Sequence, residues 1–417
     1  MEDIRAGSVG RRGLIKAGVA AGALSLAGPA IIKARAEAPV KIGMIDPLTG
    51  VLSVPAQSEV EGARYAVKVL NAKGGILGRP IELLVEDSAN DVGTGVAKAH
   101  KLIDRDHVNV IFGDVNSGIA YAIAQVTYQK KVFQIVPGGH TDQITGKDCH
   151  WNVFRVCNTT SMDANAITPD LIKHFGKRWY FVTPDYAYGH TLQAAFIKAL
   201  KKAGGEYAGS MLPIDTSDYS ATLIKARAYK PNVLLNNMGG LAQIDCMKQF
   251  IQFGMNKEMG LGGALYELEE IEAVPAVAQT GWWDMEWWWD QPKVPEVVAW
   301  VKEFRKELHK TPSARHWFGW VAVHSVKLAA EKAKSLDALK MAHALAGMEL
   351  PADVKLQPGK VFYRAGDHQL MPNVFVGNVH PAPKGGNKED VFTVADMVPA
   401  EKVWPLADTE CHMTYPS

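Results

Sequence analysis

Cysteine is scarce in this 417-residue chain: the four present, Cys149, Cys157, Cys246 and Cys411, lie far apart with no C-x-x-C pair. That spacing excludes a cysteine zinc cluster and a thioredoxin-like redox motif. Neither charge is in excess, with 45 basic against 44 acidic side chains, so neither nucleic acid nor an anionic membrane surface is indicated as a partner. Past the first forty residues no apolar run approaches the length of a membrane span. Enzyme signatures are missing as well: there is no G-x-S-x-G elbow, no H-E-x-x-H, no phosphate loop ending in Gly-Lys-Ser/Thr and no dinucleotide glycine fingerprint. The expectation is therefore a protein that is not an enzyme and that needs no cofactor or metal.

What is present starts at the N-terminus. Arg11 and Arg12 are followed by a spacer, two apolar residues and Lys16, then by a weakly apolar run from Ala17 to Ile32. Two A-x-A signals close the segment, Ala34–Ala36 and Ala36–Ala38. A basic irregular terminus is the bland alternative, but this order of parts is that of a twin-arginine export signal over residues 1–38. A periplasmic location is expected from it. Six of the 45 basic and three of the 44 acidic side chains lie in 1–38, so removal leaves 39 against 41 on a soluble chain. Removing 38 of the 417 residues leaves 379, more than one core normally holds, so two lobes are expected in a monomer. An oxidising compartment permits disulfides. Asn152–Val156 reads as a strand that holds Cys149 away from Cys157, and a bridge from Cys149, in a surface loop, to Cys411 would anchor the tail.

From Pro39 short apolar runs alternate with amphipathic stretches, the pattern of βα units around parallel sheets. One series runs from Val40 to Val136 and a second, similar one begins near Val153. In the second, Gly260–Tyr266 reads as a strand; further on, Lys360–Tyr363 and Asn373–Val379 read as a strand pair, with a surface wrap from His380. The fold class is α/β: two doubly wound lobes joined by crossing strands near Phe154-Arg155, Trp283–Trp287 and Tyr363–Gly366. The first lobe is assigned residues 39–157 and 286–362, the second 158–285 and 363–400, with a tail at 401–417. Open α/β sheets bind ligands outside the carboxyl ends of their strands, so the crevice between two such sheets is the expected site.

Several loops there carry usable chemistry. Asn116-Ser117-Gly118 opens a helix, where Ser117 either caps it or, with the free N–H groups, holds a ligand carboxylate. Gly138 and Gly139 give close backbone approach and His140 a donor, or else form a plain tight turn. Asp185-Tyr186-Ala187-Tyr188 is the matching loop of the second series, and its tyrosines suit a crevice or a core equally. Trp282, Trp283, Trp287, Trp288 and Trp289 either pack the lobe junction or sandwich an aromatic ligand. Arg315 and His316 begin a helix, where cations conflict with the dipole unless a bound carboxylate or a neighbouring Asp or Glu relieves them.

Taken together, these segments resemble the periplasmic binding proteins of branched-chain amino-acid-type ABC importers, with the type I binding fold. The resemblance is carried by Val40–Ile45 with Pro47–Gly50, Glu61–Ala66 with Asn71–Gly78, and Gly113–Ser117. It continues through Ile135–Gly139, Phe154-Arg155, Asp185–Gly189 and Asp218–Ser220. It implies a ligand carboxylate near Ser117, the Gly138 backbone and His140, a cleft tyrosine at Tyr188, and ABC permease subunits as partners. It also implies a Glu after the Gly260–Tyr266 strand to pair with a ligand ammonium. Tyr266 stands there instead, and the nearest acid is Glu267. On that departure the expected ligand is a small carboxylate without an amino group, aromatic if the tryptophans face it; the competing reading turns Glu267 or Asp185 inward and restores an amino acid. A ligand-sensing domain of the same fold and an exported hydrolase are the rival functions.

Overall fold

In the computed structural model, residues 37–291 and 294–416 are described. All but the last two residues of the expected export signal lie outside them. The first series builds β1 (Val40–Asp46), α1 (Ser53–Asn71), β2 (Ile81–Asp87), α2 (Val92–Asp104), β3 (Val110–Gly113), α3 (Ser117–Lys130), β4 (Phe133–Val136) and β5 (Val153–Arg155). Their strands form one parallel sheet in the order β2-β1-β3-β4-β5. Runs such as Val110–Gly113 and Phe133–Val136 are buried throughout because helices cover both faces of the sheet.

The second series builds α4 (Thr160–Phe175), β6 (Arg178–Pro184), α5 (Ala187–Lys202), β7 (Glu206–Leu212), α6 (Ser220–Tyr229), β8 (Val233–Asn236), α7 (Gly240–Gln252), β9 (Gly260–Gly263), α8 (Leu268–Glu272) and β10 (Trp282–Met285). The chain then returns to the first lobe for α9 (Pro295–Leu308), α10 (Ala314–Ala333), α11 (Ala338–Leu345), α12 (Ala352–Lys355) and a hairpin of β11 (Phe362–Tyr363) and β12 (Leu370–Met371). It closes on β13 (Asn373–Val379), β14 (Phe392–Pro399) and α13 (Ala400–Val403). The second sheet has the order β14-β13-β10-β9-β8-β6-β7, with β13 and β14 antiparallel to their neighbours.

Four readings of the sequence need correction here. The strand expected at Gly260–Tyr266 stops at Gly263, and Leu265 takes a left-handed backbone (φ 57°) that breaks the alternation. Tyr363 pairs with Leu370 in a tight hairpin, so it is not a partner of Asn373–Val379. That hairpin bridges Gln369 to Arg155 and buries Tyr363 and Leu370 in the first core, so the last crossing falls after Met371. The segment beyond His380 contributes β14, a full edge strand, because Phe392 packs on Trp288 across the sheet's core.

The helix pair α1 and α10 brings the site together. A Cβ at Gly62 would lie 2.2 Å from the His316 carbonyl oxygen, and one at Gly319 would lie 2.3 Å from that of Glu59. Only glycine permits this approach. It sets the N-terminal turn of α10, with Arg315, against Glu59 of α1. The tryptophan cluster packs the lobes: Trp283 and Trp288 enter the second core, Trp287 enters the first and donates to the Leu356 carbonyl (2.7 Å). Trp282 stacks on His174 and Trp289 lies under Arg305.

The C-terminal tail binds both lobes. Asn165 of α4 donates to the Val403 carbonyl (2.9 Å), and Arg364 of the hairpin donates to that of Trp404 (2.7 Å). Cys411 is disulfide-bonded to Cys149, in the loop between β4 and β5, with a Cα–Cα distance of 5.7 Å. Cys157 and Cys246 are buried free thiols.

Candidate functional site

The carboxyl ends of both sheets face one another, and between them lies a buried cavity of about 30 Å³. Leu52, Pro55, Val115, His140 and Arg315 line it from the first lobe. Tyr186, Tyr188, Met238, Leu265, Glu267 and Glu270 line it from the second, with the backbone at Gly239 and Gly240. That volume admits about one water molecule. The cleft is shut: the Leu241 N–H donates across it to the Val51 carbonyl (3.0 Å). The hydroxyls of Ser58 and Ser313 both donate to Glu269 of the second lobe (2.6 and 2.7 Å). A roomier groove of about 330 Å³ lies between α5 and the tail, but it is open to solvent and bordered by Lys147 and Lys198.

Arg315 is the centre of the closed site. Its Nε donates to Glu267 Oε1 across the lobes (2.9 Å), Nη1 reaches the Gly138 carbonyl (3.4 Å), and Glu59 Oε2 lies 3.7 Å away. The guanidinium is buried, which works against its charge, yet the surrounding carboxylates of Glu267, Glu59 and Glu286 outweigh burial and hold its pKa above the ordinary value. The clash of a cation with the helix N-terminus is thus met by protein carboxylates. His316 is held by hydrogen bonds instead. Its Nδ1 accepts from the Ser313 N–H (3.1 Å) and its Nε2 faces Glu61 (3.0 Å). The bond to His316 leads the causes that push the Glu61 carboxyl down to about 2.

Around this cation the site holds more carboxyls than it can neutralise. Burial raises Glu267 to about 7 against the pull of Arg315, and raises Glu270 to about 8. Glu270 accepts from the Gly240 N–H (2.8 Å) and the Glu267 N–H (3.0 Å), which fixes the loop. Behind Arg315, burial raises Glu59 and Asp114 to about 8 and lifts Asp46 well above the carboxylate range, with Glu59 and Asp114 adding to the effect on Asp46. Both Glu59 oxygens are buried without a hydrogen-bond partner.

Of the residues singled out from sequence, His140, Tyr188, Glu267 and Arg315 meet at the cavity. Asn116, Ser117, Gly138 and Gly139 stand one layer behind. Asn116, not Ser117, caps α3, accepting from Gly118 (2.9 Å) and Ile119 (3.3 Å). Ser117 Oγ accepts from the backbone N–H groups of His140 and Thr141 (3.1 Å each), so it shapes the loop. The space over Gly138 is filled by Glu59 and Arg315, and that over Gly139 by Ala120.

Three candidates face elsewhere. Asp185 is exposed and pairs with His190 (3.0 Å). The turn at Leu265 sends the Tyr266 ring into the second core against Trp283 (4.7 Å between centroids) and brings Glu267 to the cavity. His316 of α10 is packed against Glu61 of α1 and Phe304 of α9. None of the five tryptophans from 282 to 289 lines the cavity, which removes them as an aromatic ligand clamp. Sequence reasoning missed Glu59 and Glu270. Glu59 sits on the buried face of α1 with Ala56 and Ala63, and Glu267 with Glu270 has the three-residue spacing of a helix-capping pair.

Two lobes that shut on a small polar cavity, joined by strand crossings, define a ligand-binding protein of the type I periplasmic binding fold. The chain belongs to the periplasmic binding protein family, whose sequence model matches residues 39–387. It is 32% identical over 202 residues to the Leu/Ile/Val-binding protein BraC3 of Rhizobium johnstonii, a match spanning 48% of this chain and 54%, about half, of that protein. A periplasmic binding protein from Burkholderia mallei superposes with a TM-score of 0.83 at 25% identity, covering 90% of this chain and 98% of the other. A solute-binding protein from R. palustris, solved in complex with benzoate, superposes with a TM-score of 0.77 at 21% identity, covering 87% and 97%. These relatives are substrate-binding proteins, not enzymes, and the family is extracytoplasmic.

Proposed function

We propose that the protein captures a small α-amino acid between its lobes and delivers it to the permease subunits of an ABC importer. The observation that carries this reading is the Arg315–Glu267 ion pair across the cavity (2.9 Å), with Glu270 beside it. A zwitterion replaces that pair charge for charge: its carboxylate takes Arg315 and its ammonium takes Glu267. A plain carboxylate takes Arg315 and leaves Glu267 buried without a partner, at a cost of about several kcal/mol. With Glu267 at the cavity, the competing reading, an amino acid, is favoured over a ligand without an amino group. Leu52, Pro55, Val115, Met238 and Leu265 supply an apolar wall for an aliphatic side chain. A cavity of about 30 Å³ cannot hold such a ligand as it stands, so the lobes part to admit it and close on it about the crossings.

Calorimetry on ligand-stripped protein tests the reading with leucine, phenylalanine, 4-methylpentanoate and benzoate. Leucine is expected to bind at least 100-fold more tightly than 4-methylpentanoate, a difference of about 2.7 kcal/mol. Tight binding of either plain acid with no response to any amino acid would reverse the assignment. Export through the twin-arginine route belongs to the same proposal and rests on Arg11 and Arg12. Changing both to lysine is expected to leave unprocessed precursor in the cytoplasm; normal cleavage and export of that variant would mean another route.

A further inference from the structure

Beside the cavity, where the lobes join, His140, Asp163 and Glu286 each present a ligand atom, and these atoms lie within 4.8 Å of one another. All three side chains are buried, at 2% exposure or less. They come from three places: the loop after β4, the first turn of α4, and the chain leaving β10. Asp284, also fully buried, shares the face of β10 that packs on α4. Among the described residues no Lys or Arg forms an ion pair with any of these three carboxyls. The nearby Arg155 spends its donors on Gln369, Thr145 and the Thr141 carbonyl.

The hydrogen bonding around the cluster is one-sided. Asn158 donates its backbone N–H to Glu286 Oε2 (2.6 Å) and its side-chain amide to Asp163 Oδ1 (2.9 Å). One oxygen of each carboxyl is thereby fixed from outside. Glu286 Oε1 turns to His140 Nε2, while Asp163 Oδ2 and both oxygens of Asp284 are buried with no partner. Oriented ligands held by outer hydrogen bonds, with their remaining oxygens converging, are how metal sites are built.

The geometry points to a divalent transition-metal ion held by His140, Asp163 and Glu286 at the lobe junction. Three atoms no more than 4.8 Å apart leave a common centre within about 2.8 Å of each. Small side-chain rotations bring that to the about 2.0–2.2 Å of zinc–nitrogen and zinc–oxygen bonds. One imidazole among carboxylates suits zinc or manganese better than calcium, whose ligands are all oxygen. The ion supplies the positive charge that the buried carboxyls lack. Because His140 belongs to the first lobe and Asp163 to the second, it binds the closed arrangement best. This inference does not depend on which organic ligand the cavity takes.

The test is calorimetric titration of EDTA-stripped mature protein with Zn2+ and, separately, Mn2+, with no amino acid present. One ion per molecule is expected, with a rise in Tm on saturation. Asp163→Asn and Glu286→Gln keep the shape and remove a buried charge, so each is expected to stay folded by circular dichroism and to bind at least tenfold more weakly. Cobalt(II) provides a second readout, a visible absorption band in the wild type that both variants lose. No binding of either metal, or binding that both variants leave unchanged, overturns the site. So does a cluster that takes organic amines but no metal.

Discussion

Arg315→Met is expected to cost the ligand-free protein about 3–5 kcal/mol of unfolding free energy, because it leaves buried carboxylates without their cation. Arg315 is 5% exposed and bonds Glu267 at 2.9 Å, with Glu59 at 3.7 Å. Methionine fills much of the same volume, so the loss reports charge more than packing. Urea unfolding at pH 9, where these carboxyls are ionised, measures it through the midpoint. Adding Glu267→Gln to Arg315→Met removes the stranded charge and is expected to return at least half of the loss. If the double variant is no more stable than the single one, Arg315 acts by packing and not by pairing.

Thermal stability is expected to fall as pH rises from about 5 to 8, opposite to the trend of a protein held by exposed carboxylate salt bridges. Glu59, Asp114 and Glu270 titrate near 8 in the folded protein and Glu267 near 7, against ordinary values of 4.5 for Glu and 3.8 for Asp. Between those limits the folded chain keeps protons that the unfolded chain has released. The folded state therefore binds more protons there, and its stability slopes downward with pH. The contribution is full below the ordinary values and is gone once pH passes the raised ones. Arg315, Asp46, Asp87, Glu269 and Glu286 also act on this cluster. Calorimetric scans of metal-free protein are expected to show Tm falling by on the order of 10 °C over that range. A Tm that is flat or rising to pH 8 would mean that these carboxyls ionise freely.

The alternation of apolar runs with amphipathic stretches was enough to read both sheets and the crevice between them, since buried parallel strands leave that trace directly in sequence. Arg315 and Tyr188 were legible for a local reason: each stands in a loop or helix start at a strand's carboxyl end. Glu267 was not. Its place depends on the left-handed turn at Leu265, which a non-glycine residue does not advertise. Ser117 and Asn116 are both good caps by type, and only the backbone settles which one closes the helix. The tryptophans allowed two readings, packing or a ligand clamp, because alternation names two faces; in a strand that passes between lobes both faces are interiors, and packing is what they do. Contacts between distant segments, such as Asp163 with Glu286 or Tyr363 with Leu370, leave no periodic trace.

The tail gives the lobes a fourth connection besides the three crossings. It leaves the second sheet's edge at Pro399, lies on α4 through Val403, and is fixed covalently to the first lobe at Cys149. Tyr415 then bonds His368 (2.7 Å) and stacks on His343, so the chain is pinned on both sides of the disulfide. Such a strap leaves rotation about the crossings free while removing the widest separations and sideways slides. The open ensemble is accordingly narrow, and less orientational freedom is lost when the lobes meet. Preorganisation of the empty receptor is thus written into its last twenty residues, remote from any atom that touches the ligand.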